Sequence, residues 1–505
     1  MKPASADSVW SRLAPLVILF AVNLILRLLF ISKGPYHADC LLLAVSAEQS
    51  LAEGKLHYLQ LTGLPLTVIL AALFTGFFHW IQAGDCVAAV NFMNVFLGAV
   101  CVPLFYLLVK ELFGSVKTAW LAAAMMTINP LFLALSVFGN SHIAAVLFGL
   151  GGLVCLFRYD RTDTPGALIA AAVLFGLMGA CRLQELAFVL PPVALICLLM
   201  PRTGGWRREG TRWAVFAAVT AAVTALFYLP LLSQAGQAAG RPDRSADIWK
   251  YIVGENKFDP QRLKVIALWV LSTLSQLGAI GAGCGLLLLT KQRPRTAAAL
   301  AALVICPAVL YGIFWVIAPR YYLLSSLMLI IPAAYFFATF WRDRRWIHYP
   351  LMALLLFTLI MNARFAFQIV NFRHEHTLLT DFFVWVGESS EPGALIIERD
   401  HSLFIKRYSR RDPMAPPGSL YSIDSDQMRG FRAYIDGLLA QQVPVYITDT
   451  ALAAYPKRLG FREFMSERFR LEPVGSRPVE NWYVGVLRHY VFSNTLYRVH
   501  ARTGP

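Results

Sequence analysis

Long apolar segments follow one another along most of this chain of 505 residues, and they restrict its fold more than any other feature. A helix needs roughly 20 apolar residues to cross the hydrocarbon core of a bilayer, which is about 30 Å thick. Only 15% of the residues are charged, well below the share in an ordinary soluble protein. The pattern therefore predicts a mainly α-helical, polytopic membrane protein. The twelve apolar segments are 13–31, 64–83, 87–109, 118–136, 142–157, 167–181, 186–200, 213–232, 265–289, 297–317, 322–341 and 347–369.

The distribution of Lys and Arg gives these segments a direction, because short cytoplasmic loops of membrane proteins accumulate basic residues. Basic residues fall on alternate loops only if one early segment fails to cross. Segment 64–83 is the best candidate, since it begins at Leu64-Pro65 and carries Gly76 and His79. We therefore predict about 11 transmembrane helices, a cytoplasmic N-terminus and an external C-terminus. A topology in which this segment crosses and the N-terminus lies outside stays open at this point.

Charge and cysteine content limit the possible partners. A net charge of +15 would favour nucleic acid as the partner of a soluble protein. In a membrane protein the basic loops account for most of this excess, so we predict contact with membrane lipids and no nucleic acid. All 8 cysteines lie from Cys40 to Cys306, in or beside the apolar part. We predict neither a disulfide framework nor a Cys-rich zinc site.

The composition changes near residue 375 to that of a soluble domain. We predict a transmembrane domain over residues 1–370, with an external loop at 32–86, and a soluble α/β domain over residues 375–505 on the external face. In the second domain, two apolar runs flank a helical period, which is typical of a βαβ unit, and no nucleotide-binding glycine motif is present. The predicted strands are 393–398, 443–448, 482–487 and 495–499, and the predicted helix is 426–441.

The predicted topology gathers polar residues on one membrane face. Lipid does not tolerate such residues unless they line a cavity or face water. The external pieces are the loop 32–86, the turns 138–142 and 182–185, the loop 233–264 and residues 319–321. Within the first helix, Arg27 also needs a polar partner, which the sequence does not name.

The order of these pieces resembles the GT-C superfamily of membrane glycosyltransferases, which includes protein O-mannosyltransferases and the aminoarabinose transferase of lipid A. In that superfamily an essential acid follows the first helix, and Asp39 stands at the same position. Cys40 and His142 stand where the superfamily usually has further acids. The four similar stretches are Tyr36-His37-Ala38-Asp39, Gly63-Leu64-Pro65-Leu66, Asn129-Pro130-Leu131 with Asn140-Ser141-His142, and Arg320-Tyr321-Tyr322-Leu323.

The resemblance implies a transferase that moves a hexosyl or pentosyl group, with inversion, from a polyprenyl-phosphate-linked donor to an acceptor. The acceptor would be a glycan, a lipid or a protein on the external, periplasmic face of a bacterial inner membrane. By the same resemblance Asp39 is the catalytic base, because glycosyl transfer needs a base for the acceptor and cations for the departing phosphate. The expected substrate-binding residues are His37, His142, Arg182, Glu185, Arg320 and Tyr321.

Each of these residues also fits a structural role. Asp39 is typical of a helix N-cap, and Arg320 of a side chain that extends from a helix end to the interface. Arg182 is as well placed to pair with Glu185 as to bind a phosphate. His37, Asp39 and His142 form a possible set of ligands for a divalent cation, and ordinary hydrogen bonds would satisfy the same groups.

Two other functions stay open. A transporter or flippase of a lipid-linked saccharide would also need many helices, but it favours internal repeats and charged residues near the bilayer midplane. The sequence shows no repeat. A catalytically inactive relative would fit the missing second acid.

Overall fold

The structure is a computed structural model, and it describes residues 9–57, 64–199, 206–238, 264, 267, 273–314, 319–340, 348–399, 401–417, 425–453, 460–480 and 491–502. The predicted strand 482–487 and most of the loop 233–264 lie outside the described residues. The chain divides into two compact units. The first contains Met1–Ser32 and Leu43–His374, and the second contains Lys33–Leu42, Glu375–Gly485 and His489–Pro505.

The first unit is built from helices, most of them apolar. Their bounds are α1 Val9–Leu29, α2 Ala38–Glu53, α3 Pro65–Ile81, α4 Cys86–Phe113, α5 Val116–Thr127, α6 Pro130–Leu135, α7 His142–Thr162, α8 Pro165–Cys181, α9 Leu183–Leu199, α10 Trp206–Ala238, α11 Ser275–Gln292, α12 Pro294–Phe314, a 3₁₀ turn Pro319–Tyr322, α13 Leu323–Phe340 and α14 His348–Glu375. The first five residues of α2 and the last residue of α14, Glu375, belong to the second unit.

Among the described residues, five helical stretches are long and apolar enough to cross a membrane. They are Cys86–Phe113, His142–Thr162, Arg208–Leu231, Pro319–Phe340 and Tyr349–Glu388. Five further apolar helices have 17 residues or fewer, and α3 is one of them. The predicted fold class, a mainly helical membrane protein with a small sheet, is confirmed. The count of about 11 spans stays a prediction.

The predicted segment 118–136 is not one helix but two. The chain breaks after α5 because Pro130 lacks an N–H, while the Asn129 side chain accepts a hydrogen bond from the amide of Phe132 at 3.0 Å and starts α6. The Asn129 amide group also donates to the carbonyl of Thr273 at 3.0 Å. All six residues of α6 are buried, so this short helix lies inside the protein.

The structure supplies the partners that Arg27 needs. Its guanidinium is fully buried and donates to Asn23 Oδ1 at 2.6 Å and to Ser136 Oγ at 2.9 Å. It also lies 4.9 Å from the centre of the Phe132 ring. Gly98 of α4 permits this approach, since a Cβ there would lie 2.6 Å from that of Ser136. One buried cation therefore ties α1, α4 and the end of α6 together.

Two asparagines of α4 fix the turn that follows α6. Asn94 donates to the carbonyls of Phe138 at 2.7 Å and of Asn140 at 3.0 Å. Asn91 accepts from the amide of Gly139 at 2.8 Å. These bonds satisfy the irregular backbone inside an apolar unit, and the turn leads to Ser141 at the start of α7.

The second unit carries a five-stranded sheet in the order β2-β1-β3-β5-β4. Strands β1 and β3 are parallel neighbours, as the βαβ pattern predicts, and β4 and β5 form a long antiparallel pair. Its core contains Ile397, Ile435 and Ile447. The elements are α15 Leu378–Glu388, β1 Leu395–Ile397, α16 Ser402–Phe404 with a π turn Ile405–Ser409, β2 Asp412–Met414, α17 Ser425–Ala440, β3 Val445–Thr448, α18 Asp449–Leu452, α19 Phe461–Arg468, β4 Phe469–Glu480 and β5 Val491–Ala501.

Candidate functional site

The ring of Tyr321, in the 3₁₀ turn before α13, is the centre of a polar cluster in the first unit. The guanidinium carbon of Arg182 lies 5.6 Å from the ring centre, and that of Arg320 lies 5.4 Å from it. The ring of His142 meets Tyr321 edge to face at 5.4 Å. Two cations thus share one aromatic ring, an arrangement that the ring quadrupole favours. We call His142, Arg182, Glu185, Arg320 and Tyr321 the Tyr321 cluster.

A chain of polar contacts joins the buried members of the Tyr321 cluster. His142 Nδ1 lies 3.3 Å from Glu185 Oε1, and Arg182 Nε lies 3.6 Å from the same oxygen. Arg182 also donates from Nη1 to Ser141 Oγ at 2.5 Å. His142, Arg182 and Glu185 are 3%, 5% and 7% exposed, so water screens these charges little.

The ends of three helices supply the buried members of the Tyr321 cluster. His142 is the first residue of α7, Arg182 caps the end of α8, and Glu185 lies in the first turn of α9. At the start of α7, Asn140 Oδ1 accepts from the amide of His142 at 3.0 Å. Polar side chains are placed at helix ends because the last turns leave backbone groups without helical partners.

The charges of the Tyr321 cluster are unequal, because two guanidinium groups stand against one carboxylate. Arg320 and Tyr321 are partly exposed, whereas the groups behind them are buried. An anion at this surface would meet the forked N–H donors of two guanidinium groups, which suit a phosphate. The cluster is able to bind a phosphate group and to stabilise negative charge that develops on it.

Asp39 and His37 lie at the start of α2, in the part of the chain that belongs to the second unit. His37 Nδ1 is 2.8 Å from the amide nitrogen of Asp39 and 3.4 Å from Asp39 Oδ2. The amide must donate in the shorter contact, which leaves Nδ1 as an acceptor and the proton of a neutral ring on Nε2. The longer contact is then not an ion pair. The Asp39 side chain is 40% exposed, so it is open to solvent, while His37 is buried.

The predicted ligand set for a divalent cation gains no support from the geometry. The part of the chain that the structure describes holds no group of three or more His, Cys, Asp and Glu side chains arranged to bind a metal ion. A metal site formed by His37, Asp39 and His142 stays a prediction.

The structure brings together five of the seven residues that the sequence singled out, namely the members of the Tyr321 cluster. The remaining two, His37 and Asp39, contact each other. The sequence left open whether Arg182 pairs with Glu185 or binds a phosphate. In the structure Arg182 lies beside Glu185 and also faces the ring of Tyr321, as Arg320 does. Their catalytic and binding roles stay predictions.

The sequence reasoning missed a second buried polar cluster, which lies in the second unit. Glu398 follows β1, and its Oε2 accepts hydrogen bonds from the hydroxyl groups of Thr448 and Thr450, the latter at 2.8 Å. Its Oε1 lies 3.3 Å from His401 Nδ1. A signal was available, because the carboxyl ends of neighbouring parallel strands meet at one edge of a sheet. We call Glu398, His401, Thr448 and Thr450 the Glu398 cluster.

The surroundings of Glu398 oppose one another in their effect on its pKa. Burial raises the pKa of the carboxyl group. The hydrogen bond and charge of His401 and the hydrogen bonds of the two threonine hydroxyls together lower it by more than burial raises it, so the pKa lies below its usual value of 4.5. The Glu398 carboxylate is therefore charged near neutral pH although it is only 2% exposed.

Comparison with known proteins shows which architectures resemble this one. The family model of dolichyl-phosphate-mannose-protein mannosyltransferases matches residues 65–230. A comparison with curated protein sequences finds no match. The structure of ArnT from Cupriavidus metallidurans in the apo state is similar to this chain with a TM-score of 0.62 at 12% identity, over 97% of this chain and 98% of ArnT.

Other solved structures agree. ArnT bound to undecaprenyl phosphate matches with a TM-score of 0.61 at 12% identity, over 96% of this chain and 98% of ArnT. The archaeal oligosaccharyltransferase AglB from Archaeoglobus fulgidus, in complex with an inhibitory peptide and a dolichol-phosphate, matches with a TM-score of 0.61 at 14% identity, over 92% of this chain and 74% of AglB.

The chain has the GT-C fold. The predicted resemblance to membrane glycosyltransferases of this superfamily is thereby confirmed. Within the GT-C fold, residues 65–230 of the family match contain three members of the Tyr321 cluster, and Arg320 and Tyr321 lie beyond them along the chain.

Proposed function

We propose that this GT-C chain is an inverting glycosyltransferase that takes a hexosyl or pentosyl group from a polyprenyl-phosphate-linked donor. The acceptor is a glycan, a lipid or a protein. The observation that carries the proposal is the Tyr321 cluster, in which Arg182 and Arg320 share one ring, with Glu185 beside Arg182. Such a cluster fits the one chemical group that all these donors contain, a phosphate on a lipid.

Two structures with the same fold support the class of donor. ArnT is bound to undecaprenyl phosphate in one of them, and AglB to a dolichol-phosphate in the other. Both ligands are polyprenyl phosphates. We therefore assign the donor phosphate to the two guanidinium groups, with the partly exposed Arg320 making the first contact.

The reaction divides into two charge movements. The acceptor oxygen or nitrogen attacks the anomeric carbon while the bond from that carbon to the phosphate oxygen breaks. Asp39 takes the proton that the acceptor loses, and the lipid phosphate leaves with the second negative charge. Arg182 and Arg320 stabilise that charge, and Glu185 and His142 hold Arg182 and Tyr321 in position.

Asp39 suits the role of base because its side chain is open to solvent and follows a turn fixed by His37. The acid that the GT-C resemblance expects near His142 is absent from the local sequence. We propose that Glu185, which lies 3.3 Å from His142, supplies that carboxylate from α9.

The location of the reaction follows from the basic loops. We propose that the N-terminus is cytoplasmic, that transfer takes place on the external face, and that the membrane is a bacterial inner membrane. Membrane lipids surround the helices, and the soluble domain of residues 375–505 lies on the external side.

A comparison of Asp39→Asn with the wild type tests the proposal. The assay measures release of sugar from a radiolabelled polyprenyl-phosphate donor by the purified full chain. We expect the variant to lose about 10³-fold in turnover, because a general base contributes roughly 10²–10⁴-fold. Asp85→Asn is the matched control, since Asp85 also begins a helix and is exposed. Wild-type turnover in Asp39→Asn would remove Asp39 from the mechanism.

A further inference from the structure

A cavity lies at the end of α7 opposite His142. Its volume is about 400 Å³, within the range of small-molecule sites. The ends of α4, α7 and α9 and the start of α12 form its walls. Since α7 has 21 residues and rises about 1.5 Å per residue, this cavity is roughly 30 Å from the Tyr321 cluster, close to the thickness of a bilayer core. We call it the α12 pocket.

Three arginines line the α12 pocket together with two acids. Arg161 pairs with Glu111 at 2.8 Å, and Arg293 donates to the carbonyl of Leu112 at 2.9 Å. Arg295, at the start of α12, lies close enough to Asp160, near the end of α7, for their charges to interact. The side chains that line the pocket carry a net positive charge, and all three arginines are exposed.

Helix ends modify this charge. The carbonyl ends of α4, α7 and α9 contribute partial negative charge, whereas the start of α12 contributes partial positive charge. Arg293 offsets one carbonyl end directly through its bond to Leu112. An anion is therefore favoured on the α12 side, beside Arg295 and the hydroxyl group of Thr296.

The rest of the lining is apolar. Phe157, Ile196 and Leu199 also line the α12 pocket. Next to them on α9, Leu195 and Leu198 are 40% and 63% exposed, as expected for side chains that face lipid tails. A ligand here meets cations at the start of α12 and apolar side chains on α9.

We propose that the α12 pocket binds an anionic phospholipid, with the headgroup phosphate at Arg293 and Arg295 and an acyl chain against the wall formed by α9. Basic pockets between helix ends at a membrane surface are suited to such headgroups. A free phosphate would use the same arginines but not the apolar wall. The site is separate from the one assigned to the donor, so the failure of either proposal leaves the other intact.

Photolabelling tests this proposal directly. The full chain, in phosphatidylcholine vesicles, receives a trace of photoactivatable phosphatidylglycerol, and labelled peptides are mapped by mass spectrometry. We expect adducts on peptides that contain Phe157, Ile196 and Leu199. Removal of one arginine weakens the attraction by about fivefold, so Arg295→Gln should reduce the labelling by that factor.

Arg295→Gln carries the test because Arg293 also caps α4, and its loss could disturb the helix. Arg208→Gln is the matched control, since Arg208 is exposed near the start of α10 and does not line the pocket. Arg295→Lys keeps the charge and should keep most of the labelling. Thermal unfolding of each variant checks that the protein is folded.

Three results would overturn the proposal. The first is equal labelling of these peptides by a photoactivatable phosphatidylcholine, which would show no preference for an anion. The second is unchanged labelling in folded Arg295→Gln. The third is displacement of the probe by inorganic phosphate as readily as by unlabelled phosphatidylglycerol, which would assign the pocket to a free anion.

Discussion

The two units each contain a buried His-Glu pair with the same distance between nitrogen and oxygen, but the surroundings of the two pairs differ. In the Tyr321 cluster, His142 Nδ1 lies 3.3 Å from Glu185 Oε1, and in the Glu398 cluster, His401 Nδ1 lies 3.3 Å from Glu398 Oε1. The first pair has two guanidinium groups and a partly exposed tyrosine beside it. The second pair is enclosed by threonine hydroxyls and by the ring of Phe383.

The contrast shows that a His-Glu pair alone does not indicate a reactive site. The Glu398 carboxylate has its acceptor capacity used by two hydroxyls, His401 and the amide of Arg399 at 3.1 Å, so it has little left for a substrate. The Tyr321 cluster instead holds two guanidinium groups around one ring, and Arg320 and Tyr321 are partly exposed. The arrangement around Glu398 favours stability of the sheet, and the arrangement around Tyr321 favours an anionic ligand.

Among the changes that test this contrast, the largest effect should come from Arg320→Gln in the Tyr321 cluster. The variant loses the partly exposed cation that we assign to the departing phosphate, and turnover should fall by about 10²-fold, as for other preorganised groups that stabilise developing charge. Arg320→Lys should recover part of the loss because it keeps the charge but not the forked donors. Turnover of the labelled donor measures both. Near wild-type turnover in Arg320→Gln would place the phosphate elsewhere.

The next effect should come from matched changes in the two pairs, Glu398→Gln and Glu185→Gln. Glu398→Gln replaces a charged acceptor of several buried hydrogen bonds, so the free energy of unfolding should fall by about 2 kcal/mol. Its turnover per folded molecule should be unchanged. Glu185→Gln should instead lower turnover. Chemical denaturation and the donor assay separate the two outcomes. A loss of turnover in folded Glu398→Gln would contradict the different roles assigned to the two pairs.

The smallest effect should be a dependence of stability on pH. Because the pKa of Glu398 lies below its usual value of 4.5 in the folded protein, the carboxylate stabilises the fold above that value and this contribution is lost as the pH falls below it. The pKa of Glu391 is lowered in the same direction, mainly by the hydroxyl of Tyr446.

Thermal unfolding of the full chain between pH 7 and pH 3 measures this dependence. The unfolding temperature should fall below about pH 4.5, and the fall should be shallower in Glu398→Gln, with the remainder due to groups such as Glu391. Identical pH profiles for the variant and the wild type would show that Glu398 has an unshifted pKa.

The sequence was informative wherever a signal is local. Apolar length set most helices to within a few residues, and alternation of apolar runs with a helical period predicted β1 and β3 as neighbours. One local signal was passed over, since Asn129-Pro130 marks a helix start inside the predicted segment 118–136. Arg27 was recognised as needing a partner. Its partner Ser136 lies 109 residues away, and no pattern along the chain connects the two.

The sequence by itself determined that this chain is a helical membrane protein with a small α/β domain. The length of an apolar segment and the spacing of apolar side chains along a helix or strand are properties of consecutive residues. It also determined which polar residues stand at helix ends. Only the tertiary structure decided that Arg182, Arg320 and His142 meet at Tyr321 and that Glu185 stands beside His142. The physical reason is that charges in a nonpolar interior are stabilised by contacts between different helices, and helix packing fixes those contacts.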